Sequence, residues 1–140
     1  MLAPFDHSHA PGPNDIRSAL ARICASRPFD TSPKLASFLR FVVEVTLAGQ
    51  GHRLKGYTIG VEALGRAESF NPQIDPIVRV EAIRLRAALA RYYCGAGASD
   101  AVVIEMPRGR YVAQFRWARR SASRTMWQRA CSALQRLLAA

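Results

Sequence analysis

The sequence has almost no lysine: eighteen of its twenty basic residues are arginine, and only Lys34 and Lys55 are not. A GC-rich coding sequence alone can produce that bias, especially beside so much alanine, so the preference for arginine carries no weight. The scarcity of acid does. Residues 79–140 hold twelve arginines against Glu81, Asp100 and Glu105, whereas residues 1–78 balance eight basic side chains with seven acidic ones. Nearly all of the net charge of +10 therefore sits in one part of the chain. A charge polarised in this way points to a polyanionic partner.

Other absences narrow the class. The three cysteines, Cys24, Cys94 and Cys131, are odd in number, far apart and without a CxxC pair, which predicts neither a disulfide framework nor a zinc site and fits a reducing cytoplasm. Two of the three histidines, His7 and His9, fall in a proline-rich leader and His52 in a turn, so no metal is expected. No apolar run reaches the ~18–20 residues of a membrane span. The start "MLAPFDHSHAPGPND" lacks the basic and apolar blocks of a signal peptide. The expectation is a soluble, cytoplasmic, nucleoid-associated protein. There is no G-x-S-x-G, no P-loop and no H-E-x-x-H, and the cysteines have no evident base partner, so neither an enzyme nor a cofactor is expected.

What is present suffices for one folded domain: 140 residues, 49% of them hydrophobic. Residues 1–13, with three prolines, read as a disordered arm. Asn14 or Asp15 can cap a first helix whose stripe is Ile16, Leu20, Ile23 and Cys24, ending near "SRPF". Ser32 and Pro33 open a second, core helix with Leu35, Phe38, Leu39, Val42, Val45 and Thr46 on its apolar face, ended by "AGQG". "RLKGYTIGVEALGR" reads as a short third helix with Ile59, Ala63 and Leu64 inward and Gly65 as its stop. Then come the loop "AESFNPQIDP", a long basic helix, and two β-rich runs, "AVVIEM" and "YVAQFRW", joined by "PRGR" as a hairpin. Val102 and Ile104 share one face of the hairpin. On the second run Val112 and Gln114 compete with Tyr111 and Phe115 for the facing positions.

The basic helix, "DPIVRVEAIRLRAALARYY", carries the functional signal. Asp75 can accept from the free first-turn amides, Pro76 fits the first helical position, and Gly95 and Gly97 mark the stop, giving a helix over 76–93. Val78, Ala82, Leu85, Leu89 and Tyr92 recur at helical spacing as its buried face. On the outer face Arg79 and Arg86 fall on one flank and Arg84 and Arg91 on the other, with Val80, Ile83, Ala87 and Ala90 between. Glu81 is directed toward the core side, near Arg84. A major groove has phosphate walls that attract arginine and a floor that presents thymine methyls and base edges to short side chains. An ordinary solvated face is the competing reading.

With these parts in this order, the chain resembles the DNA-binding domain of OmpR/PhoB-type response regulators. Their recognition helix has the form V-x-V-x-x-x-R-L-R-x-x-L, which "VRVEAIRLRAAL", Val78 to Leu89, follows position for position, and "PRGRYV" is similar to their R-G-x-G-Y wing. The likeness covers residues 33–117. It is closer still to N-terminal domains that precede cyclase, TolB-like or repeat regions in bacterial proteins, where runs such as "LKGYTIGVEALGR" are typical. The resemblance implies base or phosphate contacts for Arg84 and Arg86, and a minor-groove or phosphate contact for Arg108 or Arg110. The chain departs from the regulators in three respects: a helix at 14–27 stands where they have a β-platform, Glu81 stands where they often have a polar phosphate contact, and no receiver domain is present.

The expected architecture is mainly α with a C-terminal β-hairpin (α+β), a winged helix-turn-helix with an extra N-terminal helix. The domain spans 14–117, and 118–140 form a basic amphipathic tail helix. The expected function is sequence-specific binding of double-stranded DNA in transcriptional regulation, with helix 76–93 in the major groove and wing 106–111 on the backbone or minor groove. The contacting residues are Arg79, Val80, Ile83, Arg84, Arg86, Ala87, Arg91, Arg108 and Arg110. An architectural or excision factor of a mobile element, or a protein-interaction module for an acidic partner, would use the same features. The tail stripe of Trp127, Cys131, Leu134 and Leu138 can pack on its own domain, form a homodimer or lie on an anionic membrane; packing or pairing is favoured over the membrane.

Overall fold

The structure, a computed structural model, describes residues 9–118. Five helical segments precede two short strands: α1 (Pro13–Ala25), α2 (Arg27–Asp30), α3 (Pro33–Leu47), α4 (Gly56–Thr58), α5 (Ile77–Cys94), β1 (Val102–Glu105) and β2 (Gln114–Trp117). A 3-10 turn over Gly51–Arg53 precedes α4, and a π-helical turn over Ile59–Ala63 follows it. The architecture is α+β, mainly helical with one two-stranded antiparallel sheet.

The buried positions follow the helical stripes. In α1 they are Ile16, Ala19, Leu20, Ile23 and Cys24. Its start lies at Pro13, one residue before the expected cap, and the Asp15 carboxylate accepts from the Gly12 amide at 3.2 Å. The inner end of the supposed disordered arm is also tied down: Pro11 is buried, and Trp117 Nε1 donates to the His9 carbonyl at 2.7 Å. The one-turn α2, unexpected from the sequence, buries Phe29. Helix α3 places Phe38, Leu39, Val42 and Val43 at the centre of the core. The third helix is not one regular helix. Gly60 inside the π turn lies so close to the Phe70 ring that a Cβ would meet it at 2.3 Å, and Ser37 Oγ donates to the Ala63 carbonyl at 2.8 Å.

The strand pairing is Val102↔Trp117, Val103↔Arg116, Ile104↔Phe115 and Glu105↔Gln114. Of the two alternatives for the second strand, Phe115 therefore faces Ile104, while Tyr111 and Val112 belong to the connection. Because α1 and α5 both pack on β1, Val102, Val103 and Ile104 are all buried despite the alternation of a strand. The turn joining the strands spans 106–113, wider than "PRGR" alone, and reverses at Gly109 with φ +90°. Met106 and Ala113 seat its two roots in the core, and the Ala113 amide donates to Thr46 Oγ1 of α3 at 3.3 Å.

Cys94 is disulfide-bonded, a single bond and not a disulfide framework. The arm residues 1–8 and the tail from 119 on, and with them the tail helix and its proposed pairing, lie outside the described residues. Among the described residues no helix is long and apolar enough to cross a membrane, and no cluster of His, Cys, Asp or Glu could hold a metal.

Candidate nucleic-acid interface

Helix α5 begins one residue later than expected, at Ile77. The N-cap position is Pro76, and the Asp75 carboxylate just before it accepts from the Ile77 amide at 3.1 Å. The helix ends at Cys94, where the Gly97 amide donates back to the Tyr92 carbonyl at 2.8 Å. Val78, Glu81, Ala82, Leu85, Ala88, Leu89, Tyr92 and Tyr93 form its buried side. The opposite side carries Val80, 42% exposed, and Ile83, 67% exposed, with Ala87 also in solvent. Exposed Arg79, Arg84 and Arg91 stand beside this strip. An isolated exposed apolar residue is ordinary, but two branched ones on consecutive turns of a well-anchored helix, bordered by cations, form a defined surface.

Glu81 is the one buried acid among the described residues, at 5% exposure, and its carboxylate meets Arg84 at 3.2 Å. The core-side placement is the one the helical wheel gives, and of the possible neighbours it is Arg84 that pairs. The buried carboxylate holds one end of a guanidinium whose side chain is 68% exposed, so Arg84 is aimed outward rather than swept through solvent.

Arg86 behaves differently from its neighbours. It is half-buried, its Nε donates to the Met106 carbonyl at 2.9 Å, and one terminal nitrogen donates to the Pro107 and Arg110 carbonyls, each at 3.2 Å. Arg86, expected to contact DNA, thus has Nε and one terminal nitrogen engaged by the hairpin turn. The same bonds bring that turn against the flank of α5 that also bears Arg79, so Arg108 and Arg110, both exposed, belong to one surface with the helix. Sequence reasoning could place Arg86 on that flank but had no signal for which carbonyls would meet it.

The acids elsewhere neutralise arginines on the body. Arg17 pairs with Glu44, Arg22 with Asp100, Arg53 with Glu62, Arg66 with Asp75 and Arg116 with Glu105. Among the described residues Arg79, Arg91, Arg108 and Arg110 have no acidic partner, and the same holds for Arg27, Lys34, Arg40 and Lys55. Lack of a partner thus does not mark the surface by itself. Its coincidence with the apolar strip and the hairpin turn does. Ile74, 81% exposed just ahead of α5, is a further exposed apolar residue.

Compared with protein-family models, with curated proteins and with solved structures, the chain gives no match. The functional reading therefore rests on the geometry of α5 and the hairpin turn.

Proposed function

We propose that this protein binds double-stranded DNA in a sequence-specific manner as a winged helix-turn-helix and acts in transcriptional regulation. The exposed face of α5 enters the major groove, and the turn 106–111 serves as the wing on the backbone or adjacent minor groove. One observation carries the reading: a helix anchored through its buried face presents Val80, Ile83 and Ala87 outward with arginines beside them. That matches the chemistry of a groove whose walls are anionic and whose floor has apolar methyls. An anchored α5 also meets the demand that base-reading side chains be carried on a rigid element.

The test is selection of bound duplexes from a random library with the full chain, followed by titration of the selected duplex at several salt concentrations. A specific binder enriches one sequence pattern and prefers it at least ~10³-fold over unrelated duplex. The exposure of Ile83 also suits an apolar groove on an acidic protein. Weak and indifferent binding to every duplex would favour that second reading.

A further inference from the structure

The four arginines of α5 are not equivalent. Arg86 alone among them faces backbone carbonyls, and these come from both limbs of the hairpin turn: Met106 and Pro107 on the outgoing limb, Arg110 on the return. No acid pairs with it among the described residues. A guanidinium suits this task because its donors are fixed in one plane and can span several acceptors, whereas an ammonium is a compact point charge. Three carbonyl dipoles engage Nε and one terminal nitrogen without cancelling the charge, so the surface keeps its positive sign. The turn is held on its other side by Thr46 of α3, through the Ala113 amide. Arg108 and Arg110 are thus carried on a turn with two fixed supports.

We propose that Arg86 is a positioning residue, which sets the placement of Arg108 and Arg110 relative to the exposed face of α5 and reads no base itself. The proposal rests on the DNA-binding reading above. A helix in one groove and a wing on the neighbouring backbone engage together only if their separation matches the duplex. Such a constellation tolerates only about 0.5 Å of looseness.

The experiment uses the full chain with Arg86→Lys, Arg86→Ala, the Arg108→Ala/Arg110→Ala pair, and Arg86→Lys added to that pair. Amide hydrogen exchange over 106–113 is followed without DNA, and binding to the selected duplex is followed against salt. Lysine keeps the charge but cannot bridge three carbonyls. Arg86→Lys is therefore expected to speed exchange in the turn about tenfold while the α3 amides stay protected. It should also lower the salt slope by about one to two units, as the Arg108/Arg110 pair does. Added to that pair it should do nothing more, and no single base-pair preference should relax. Arg86→Lys binding like the parent with unaltered slope would make Arg86 a phosphate contact and overturn the proposal. So would Arg86→Ala relaxing one base pair while exchange in the turn stays slow. A parent chain with no preferred duplex would overturn the DNA reading and this proposal together, and the exchange data, which need no DNA, tell that failure from the loss of the clamp alone.

Discussion

The Tyr93 hydroxyl accepts a hydrogen bond from the Ile104 amide at 2.7 Å and donates toward the Val102 carbonyl at 3.4 Å, so a side chain of α5 occupies the edge of β1 that β2 does not cover. A two-stranded hairpin is marginal by itself, and a buried strand edge leaves amides and carbonyls that must be paired. One phenol serves two of those groups and joins the hairpin to the basic helix. Tyr93→Phe preserves the ring but strands a buried amide, at a cost of about 1–3 kcal/mol. Urea unfolding should show a lower midpoint with an unchanged slope. An unaltered midpoint would mean that water replaces the hydroxyl.

Alkali should attack the same region. Burial, followed by the hydrogen bond to Asp100 and its charge, pushes the Tyr92 phenol from 10.0 up to about 12, with Arg22 opposing the shift. Burial raises Tyr93 further. Below pH 10 both phenols are neutral whether the chain is folded or not, and their contribution to stability is complete. Above it the unfolded chain ionises first, and stability is lost as the pH climbs through the folded-state value. Unfolding midpoints should be flat to about pH 10 and fall between about pH 10 and 12. Tyr92→Phe should flatten part of that fall. A midpoint that fell equally in the variant would place the cause elsewhere.

Gly60 tests the join between the π turn and the loop before α5. A methyl there would stand 2.3 Å from the Phe70 ring, so Gly60→Ala must displace an aromatic side chain packed against the core. The gain in helical propensity is at most ~1 kcal/mol. Overpacking of this kind costs ~1–3 kcal/mol, so net destabilisation is expected in thermal unfolding. Phe70→Ala should cost less in the Gly60→Ala background than in the parent. Equal costs would mean that the two positions are not coupled.

Much of this was legible in the sequence because it depends on local periodicity. The stripes of α1, α3 and α5 and the core-side placement of Glu81 follow from 3.6-residue spacing alone. The irregular passage around Gly60 was not legible, because its glycine answers to Phe70, ten residues away, rather than to its helical neighbours. Arg86 and Tyr93 show the same limit. Their partners lie across the fold, twenty or more and nine to eleven residues on, and periodicity reports only which flank a residue occupies. Burial of β1 on both faces likewise arises from α1 and α5 packing on it, which no alternation in "AVVIEM" encodes.

Arg84 offers the most direct test of the proposed placement of α5 on a duplex. Its anchoring by Glu81 leaves the outward end of the guanidinium able to meet a base edge or a phosphate. If it reads a base, Arg84→Ala should cost ~1–3 kcal/mol on the selected duplex and relax the preference at one position. Uniform weakening across sequences, with the salt slope reduced by ~1, would reassign Arg84 to a phosphate. Equal binding by variant and parent would remove it from the interface.

Ile83 makes a claim about the chemistry of the bases themselves. Its side chain is the most exposed large apolar group on α5, and in a major groove the apolar feature that could meet it is the thymine methyl. Replacing thymine by uracil removes that methyl while leaving every hydrogen-bonding group in place. Burying one such carbon is worth roughly 0.8 kcal/mol, so uracil at the contacted position should weaken binding about fourfold. Ile83→Ala should bind the thymine duplex more weakly and discriminate less between the two, because the surface that senses the methyl is gone. A scan that places uracil at each thymine of the selected duplex in turn, with parent and variant side by side, locates the contact. If the parent binds thymine and uracil duplexes alike at every position, or if the variant keeps the full preference, then Ile83 does not face the groove floor and the exposed strip of α5 has another use.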